Sequence, residues 1–266
     1  MRLFRTLRTA RPSFSTVDGS VNLTVPRSWR ELTPEQLHYV LWLLASFDDH
    51  TVVKTYMFCR FAGVHVVSRD RFGWKCYVRT SWRRRHYFTM QAWQVESFLA
   101  QLGFVDSYED MGVRLEDVCG LHAVDTLLHG VVFVDYLNAE KYYQAYMLHH
   151  DDRFLKKLAL ILYRRRNGHL AHRIRLGRAE ALGVVLWFSY VKAEMSRAFP
   201  HFFRKVDAGT AGDYDMLEAM NAQIRALTDG DITKENTVLH IDCWRALTEL
   251  DQKAREAEEF RRKYGK

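Results

Sequence analysis

Apolar side chains recur at steps of three and four near the end of the chain: Val238, Ile241, Trp244, Leu247, Leu250, Ala254, Ala257, Phe260 and Tyr264. That spacing predicts one long amphipathic helix over Asp231–Tyr264. Thr233 suits its N-cap, and Glu235 puts a negative charge in the first turn. The opposite face repeats an acid followed four residues later by a base: Glu249/Lys253, Asp251/Arg255, Glu258/Arg262 and Glu259/Lys263. Each such pair contributes roughly 0.2–0.5 kcal/mol. The large apolar residues stop at Leu250, so the first half is expected to dock on the body. The second half is expected to project or to pair with another chain. Ala254, Ala257, Phe260 and Tyr264 are its candidate partner-binding residues. A helix packed along its whole length by a narrow stripe is the alternative.

Earlier in the chain the same patterning predicts mainly helices. An extended piece, Val21–Val25, leads to Pro26. Thr33 and Pro34 then mark a helix start, with Leu37, Val40, Leu41 and Leu44 as the apolar face. A second helix is expected over Thr51–Phe61, stopping at Gly63. Between Val64 and Met90 the period changes to two. Trp74, Cys76, Val78 and Trp82 alternate with Lys75, Tyr77, Arg79 and Ser81, which is strand alternation. Two or three antiparallel strands are expected, turning near Arg71–Gly73 and Arg83–Arg85. A helical pattern resumes from Thr89 through Trp93, Phe98, Leu99 and Leu102. Asp106–Gly120 reads as a loop with one short helical turn. Leu121–Arg166 reads as two or three helices, broken near Gly130 and at His149–Asp152, with Asn167-Gly168 ending the last. Gly177–Phe199, apolar through Val184–Phe188, is expected at the centre of the core. Asp207–Asp213, with two glycines, is the best linker, and Tyr214–Leu227 a short helix before the final one.

This gives a mainly α (α+β) fold class: a helical, bundle-like body with a small antiparallel sheet over about residues 64–90 and a long C-terminal helix. The expected division is a basic arm over 1–19, a body over 20–206 and a helical extension over 207–266. The arm carries Arg2, Arg5, Arg8 and Arg11 against Asp18. It reads as a flexible basic arm or, in a eukaryote, as an organelle transit peptide.

Composition adds that 266 residues with 48% hydrophobic and 27% charged side chains suit a globular protein with a real core. The charge-free run Ala181–Val191 is too short to span a bilayer. Cys59, Cys76, Cys119 and Cys243 are scattered without metal-ligand spacing, and read as reduced, mostly buried thiols of a cytoplasmic protein. The net charge of +7 is uneven. From Ala211 onward 9 Lys/Arg face 12 Asp/Glu, a balance of −3, whereas the preceding part holds 30 and 20, a balance of +10. A basic body suggests an anionic partner or an acidic neighbouring subunit.

Candidate chemistry is sparse. His169 and His172, and the run His149-His150-Asp151-Asp152, have no recognised metal spacing, so neither a metal nor any other cofactor is expected. Asp125 and His129, four apart, would share a helix face as an acid–base pair or as an ordinary hydrogen bond. No phosphate loop or nucleophile motif occurs, and no enzymatic activity is expected. The basic–aromatic stretch is stronger. Lys75, Arg79, Arg83, Arg84 and Arg85 are candidate nucleic-acid or anion-binding residues, interleaved with Trp74, Tyr77, Trp82 and Tyr87. Alternation turns Trp74 and Trp82 inward and leaves Tyr77 beside the cations. The stretch also reads as the solvated face of a small sheet whose cations blunt an edge.

VPRSWRELTPEQLHYV from Val25, EKYYQAYM from Glu140, FPHFF from Phe199 and LTDGDITKENTVLHIDCWRALTELDQKAREAEEF from Leu227 together resemble uncharacterised prophage and mobile-element proteins of gut anaerobic bacteria. The resemblance implies a non-enzymatic protein of the tail-assembly-chaperone or structural kind in the bacterial host cytoplasm. It would act in particle assembly through protein partners such as phage tail components. The alternative expectation is a nucleic-acid-binding protein of a mobile element, using the basic hairpin and the N-terminal arm. No membrane partner is expected.

Overall fold

The computed structural model describes residues 14–17, 20–81, 83–204 and 216–264. Among them, nine α-helices carry most of the ordered backbone, with two three-stranded antiparallel sheets and one two-stranded ribbon. The mainly α class with a small antiparallel sheet and a long C-terminal helix is therefore observed; the second three-stranded sheet is an addition. The chain divides into two compact units, one of residues up to Leu115 together with Gly177–Gly183, the other of Glu116–Leu176 and Val184 onward. This division differs from the one expected at residue 207. The linker expected over Asp207–Asp213, and most of the arm expected over residues 1–19, lie outside the described residues.

In the first unit, β1 (Phe14–Val17) and β2 (Ser20–Leu23) pair antiparallel. Trp29 is buried edge-on to Phe104, and its indole nitrogen donates to the Ser107 carbonyl at 3.2 Å. Helix α1 (Pro34–Leu44) starts as its sequence dictates. Thr33 Oγ1 accepts from Gln36 N, and Gln36 Oε1 accepts from Thr33 N, so two otherwise orphaned donors are satisfied reciprocally. Leu37, Val40, Leu41 and Leu43 are buried; Leu43 takes the place expected of Leu44, which is half-buried. Helix α2 (His50–Phe61) is capped by Asp49 and packs Phe58 on Phe98 of α3 (Ala92–Gln101) at 4.9 Å. Strands β3 (His65–Asp70), β4 (Gly73–Arg79) and β5 (Arg85–Met90) form the sheet expected over residues 64–90. Strand β4 ends at Arg79, so the inner set is Trp74, Cys76 and Val78; Trp82 lies beyond the strand and outside the described residues. The first turns of α6 (Arg178–Ala198) complete this unit. At Gly183 a Cβ would come within 3.0 Å of Leu41 Cδ1, so the absence of a side chain lets the helix approach.

In the second unit, β6 (Asp117–Val118), β7 (Leu121–Ala123) and β8 (Tyr163–Arg164) form a sheet that alternation did not predict, because no strand exceeds three residues. The stretch after Leu121 is accordingly strand and loop, not helix. Asp125 Oδ1 accepts from Leu127 N and His129 N, folding the backbone into a tight turn that a helix could not accommodate. Helices α4 (Phe133–His149) and α5 (Asp152–Leu162) follow, broken where expected. The remainder of α6 is central: Val184, Leu186, Trp187, Phe188, Val191 and Met195 are all buried. Trp187 donates to the Thr126 carbonyl at 2.8 Å, so its one polar atom is satisfied inside the core.

The C-terminal stretch departs from the single helix expected over Asp231–Tyr264. After α7 (Met216–Thr228) comes a turn of 3₁₀ helix at Ile232–Lys234, then the short α8 (Glu235–Leu239), and only then α9 (Cys243–Tyr264). The cap at the start belongs to Asp231, whose carboxylate accepts from Thr233 N. The break comes from Asp242. Its Oδ1 accepts from Trp244 N and Arg245 N, starting a new helix, and its Oδ2 accepts from Gly130 N. On either side of it, Phe133 N donates to Ile241 O and Cys243 N to Val131 O, both at 2.8 Å. Those two bonds draw backbone groups of 241–243 out of any continuous helical ladder. Within α9 the buried residues are Cys243, Ala246, Leu247 and Leu250, so its first half is docked, with Trp244 half-buried.

Two predictions follow from these contacts. Asp242→Ala removes a helix cap and should lower unfolding stability by about 1–2 kcal/mol, whereas Asp242→Asn should retain most of it; denaturant melts of both variants decide. The second concerns His38 and Glu180, 2.9 Å apart within the first unit. The bond to Glu180 raises the imidazole pKa against the opposing effect of burial, and the bond to His38 lowers the carboxyl pKa. The raised imidazole contributes stability fully below the ordinary histidine range, lost as pH rises through its folded pKa. The lowered carboxyl contributes stability above the ordinary carboxyl range, lost as pH falls through its folded pKa. The pair should therefore stabilise most between roughly pH 4.3 and 6.5. The Tm difference between wild type and His38→Gln should peak in that window; a difference flat with pH would contradict the pair.

Candidate nucleic-acid interface

The sheet of the first unit owes its two faces to burial. Cys76 and Val78 of β4 and Met90 of β5 are buried on one face, which leaves Lys75, Tyr77 and Arg79 on the other. Register then decides what stands beside them. Tyr77 pairs with His65 of β3 on one side and with Tyr87 of β5 on the other, while Arg79 pairs with Arg85, and Lys75 with Ser68 and Thr89. Three rings thus lie in one row across three strands. His65 stacks on Tyr77 at 4.7 Å and 12°, and Tyr87 lies 5.6 Å from Tyr77 on the far side, 61% exposed. The Arg85 guanidinium sits 4.9 Å over the Tyr77 ring. Sequence alternation left Tyr77 beside the cations; pairing sets Tyr87, already in the basic–aromatic stretch, next to it and adds His65, which no linear pattern links to it.

Electrostatics sharpen this arrangement. Partial burial, and then Arg79 and Arg85, lower the His65 pKa, so its ring is neutral at pH 7 and serves as an aromatic surface. Beyond Lys75 the face continues into an open depression of about 630 Å³ lined by Phe72, Lys75, Thr89 and Trp93 among others. Phe72 and Trp93 are both well exposed. From Gly73 to Arg79 the strand runs about 20 Å, six steps of roughly 3.3 Å each. Gly73 makes the turn into β4 at φ +138°, and a Cβ there would run into the Met90 carbonyl, so the tight approach of β4 to the end of β5 requires glycine.

The sequence-selected cations separate into groups. Arg79 and Arg85 flank the rings. Lys75 lies on the same face and meets Asp70 at 3.3 Å, which also lowers the Asp70 carboxyl after the Phe72 amide does so. Arg83 and Arg84 sit exposed in the β4–β5 loop, where the Arg84 carbonyl accepts from Thr80 N at 3.1 Å.

In the second unit, the residues selected at the end of α9 grade outward. Ala254 is half-buried, Ala257 is exposed, and Phe260 and Tyr264 are 65% and 62% exposed and contact each other at 4.9 Å. The expected acid–base ladder is largely replaced. Of the four pairs only Glu249–Lys253 is present, at 4.0 Å. Asp251 accepts from His201 N and Phe202 N, while Glu258 binds His201 Nδ1 and Arg204. These two carboxylates, seven residues apart on one face, strap residues 201–204 along α9, and Arg255 turns to Glu259 instead.

The remaining candidates resolve into structural roles. Asp151 caps α5 and pairs with Arg153, and His150 ends α4 in the left-handed region. Asp125 holds the His129 amide, and the His129 ring stacks on Trp244 at 4.6 Å, so the two side chains form no acid–base pair. His169 and His172 are exposed, and among the described residues no group of three or more His, Cys, Asp or Glu converges for a metal. All four cysteines are free; Cys76 and Cys243 are buried, Cys59 is half-buried and Cys119 is exposed. Burial pushes the Cys76 and Cys243 thiols up to about 11 and about 12, so both stay protonated. No helix among the described residues is long and apolar enough to cross a membrane. Compared with models of known protein families, with curated proteins and with solved structures, the chain matches none.

Proposed function

We propose that the protein binds single-stranded nucleic acid on the outer face of the β3–β4–β5 sheet, without enzymatic activity. The observation that carries this reading is the row His65–Tyr77–Tyr87, bordered by Arg79 and Arg85 on one side and Lys75 on the other. Every base has a π-face, so such a row accepts unpaired bases of any sequence, while the cations meet the phosphates. Hydrogen-bond readout of particular bases has no evident donor–acceptor set on this face, so weak sequence preference is expected. Duplexes hide their base faces and should bind less well.

A second reading, protein–protein interaction through the end of α9 in assembly of a phage-like particle, draws on the exposed Phe260–Tyr264 pair and on the resemblance to prophage proteins. It uses a different unit from the sheet, and the two readings are compatible.

Tyr87→Ala should weaken binding of a single-stranded oligonucleotide by about 1–3 kcal/mol, the worth of one stacked base. Arg79→Gln with Arg85→Gln should lower the slope of log K against log salt by about 1.4 units, since each phosphate contact on a single strand contributes about 0.7. Titrations by fluorescence anisotropy at two salt concentrations measure both; unchanged affinity and slope in these variants would refute the reading. For α9, truncation after Glu259 keeps the Glu258 strap and all of the buried residues. Such a chain should melt within about 0.5 kcal/mol of the full one, the usual range for exposed positions. In sedimentation it should lose any association that the full chain shows; association that survives truncation would exclude this segment.

A further inference from the structure

The longest acid-free run in the chain lies outside the sheet of the first unit. Between Arg153 and Ala179 there are nine Lys/Arg and no Asp/Glu. In the second unit this run forms a tight turn: Arg164 bridges to Leu170, Arg165 N donates to His169 O, and Gly168, at φ +79°, turns the chain. Against the end of β7 the turn encloses an open depression of about 550 Å³, walled by His122, Arg164, Arg165, Arg166 and Gly168. No carboxylate lines it.

Two acids outside the lining bind its members. Asp135 holds Arg164 through one terminal nitrogen at 2.8 Å, leaving Arg164 Nε buried without an acceptor. Asp117 holds His122 Nδ1, and His122 Nε2 accepts from Arg166 Nε at 3.0 Å. That chain of carboxylate, imidazole and guanidinium fixes Arg166 at its inner nitrogen. Its terminal NH₂ groups have no acceptor among the described residues, and Arg165 is exposed with no ion pair among them. A guanidinium held in this way presents a planar fork matched to two oxygens of one anion.

We propose that this depression is a phosphate-binding site, with Arg165 and Arg166 as the ligand-contacting forks and His122 as the positioning residue behind Arg166. The phosphate belongs either to a nucleic-acid backbone or to a soluble phosphorylated compound, and the chemistry of recognition is the same for both. The site is distinct from the aromatic strip on the sheet and does not rest on it.

The test uses the full chain carrying Arg79→Gln and Arg85→Gln, which removes the flanking cations of the sheet. It is titrated with inorganic pyrophosphate by calorimetry and with a single-stranded oligonucleotide by anisotropy, at constant ionic strength. Binding of either probe that falls at least tenfold in Arg165→Lys/Arg166→Lys supports the site, because charge is conserved and only the fork is lost. Pyrophosphate alone being bound assigns a soluble phosphorylated ligand; binding of the oligonucleotide, displaced by pyrophosphate, assigns a nucleic-acid backbone. His122→Gln should weaken the same probe while the melting curve stays unchanged, which a merely structural role would not give. If neither probe binds, or if the lysine variant binds as tightly as its parent, the proposal is overturned.

Discussion

The outer face of the β3–β4–β5 sheet is set by what lies beneath it. Cys76, Val78 and Met90 are buried, and a slip of β4 by one residue would bring Lys75, Tyr77 and Arg79 into that apolar layer. Burying two cations without partners is costly, and exposing Val78 would forfeit its burial as well, so the register is firmly chosen. Gly73 fixes the same register from the other end, because only a residue without a Cβ fits against the Met90 carbonyl. The alignment of His65, Tyr77 and Tyr87 is thus a by-product of core burial, and the rings are held in their row before any ligand arrives. In the proposed binding mode such preorganisation would reduce the entropy lost on capture of a flexible strand.

The second unit depends on a comparable point constraint. The Asp242 carboxylate serves the backbone at the start of α9 and the Gly130 amide at once, and the flanking backbone of 241–243 bonds to 131–133. The starts of α4 and α9 are therefore tied together by main-chain hydrogen bonds. Trp244 extends the tie, its indole donating to the Leu127 carbonyl at 2.6 Å and its ring meeting His129 and Phe199. Farther along α9 the apolar stripe thins and carboxylates take over, with Asp251 and Glu258 holding residues 201–204. Attachment thus changes from apolar burial to largely half-buried polar contacts along one helix, and the last turns are left to solvent.

How far this was legible in the sequence depends on the range of each interaction. Local rules read correctly where one segment decides its own fate: the Thr33/Gln36 capping box, the alternation around Cys76 and Val78, the apolar run of α6. They failed where a distant segment intervened. Thr233 and the unbroken stripe from Val238 to Tyr264 are consistent with one helix, and the Asp242 cap together with the backbone of residues 131–133 breaks it. Glu258 stands four residues before Arg262 yet binds His201 and Arg204, 57 and 54 residues earlier in the chain. The strands β6, β7 and β8 are too short for a period to show. His65 joined the ring row only through cross-strand pairing. The acid-free run after Arg153, in contrast, was visible in the sequence, and a local charge count would have singled it out.

The first unit is not a continuous stretch of chain. Its last piece, Gly177–Gly183, supplies Glu180 to His38 and lets the backbone at Gly183 approach Leu41 and Leu115. During synthesis, which proceeds from the N-terminus, that piece emerges only after all of Glu116–Leu176 has been made. The N-terminal unit must wait, with Leu41 and Leu115 uncovered on that side, while much of its neighbour is already available to fold. Contacts of such long sequence separation slow folding, because the loop must close before they form. The order of folding is then not the order of the chain, and a fragment ending at Leu115 would lack a piece of its own core.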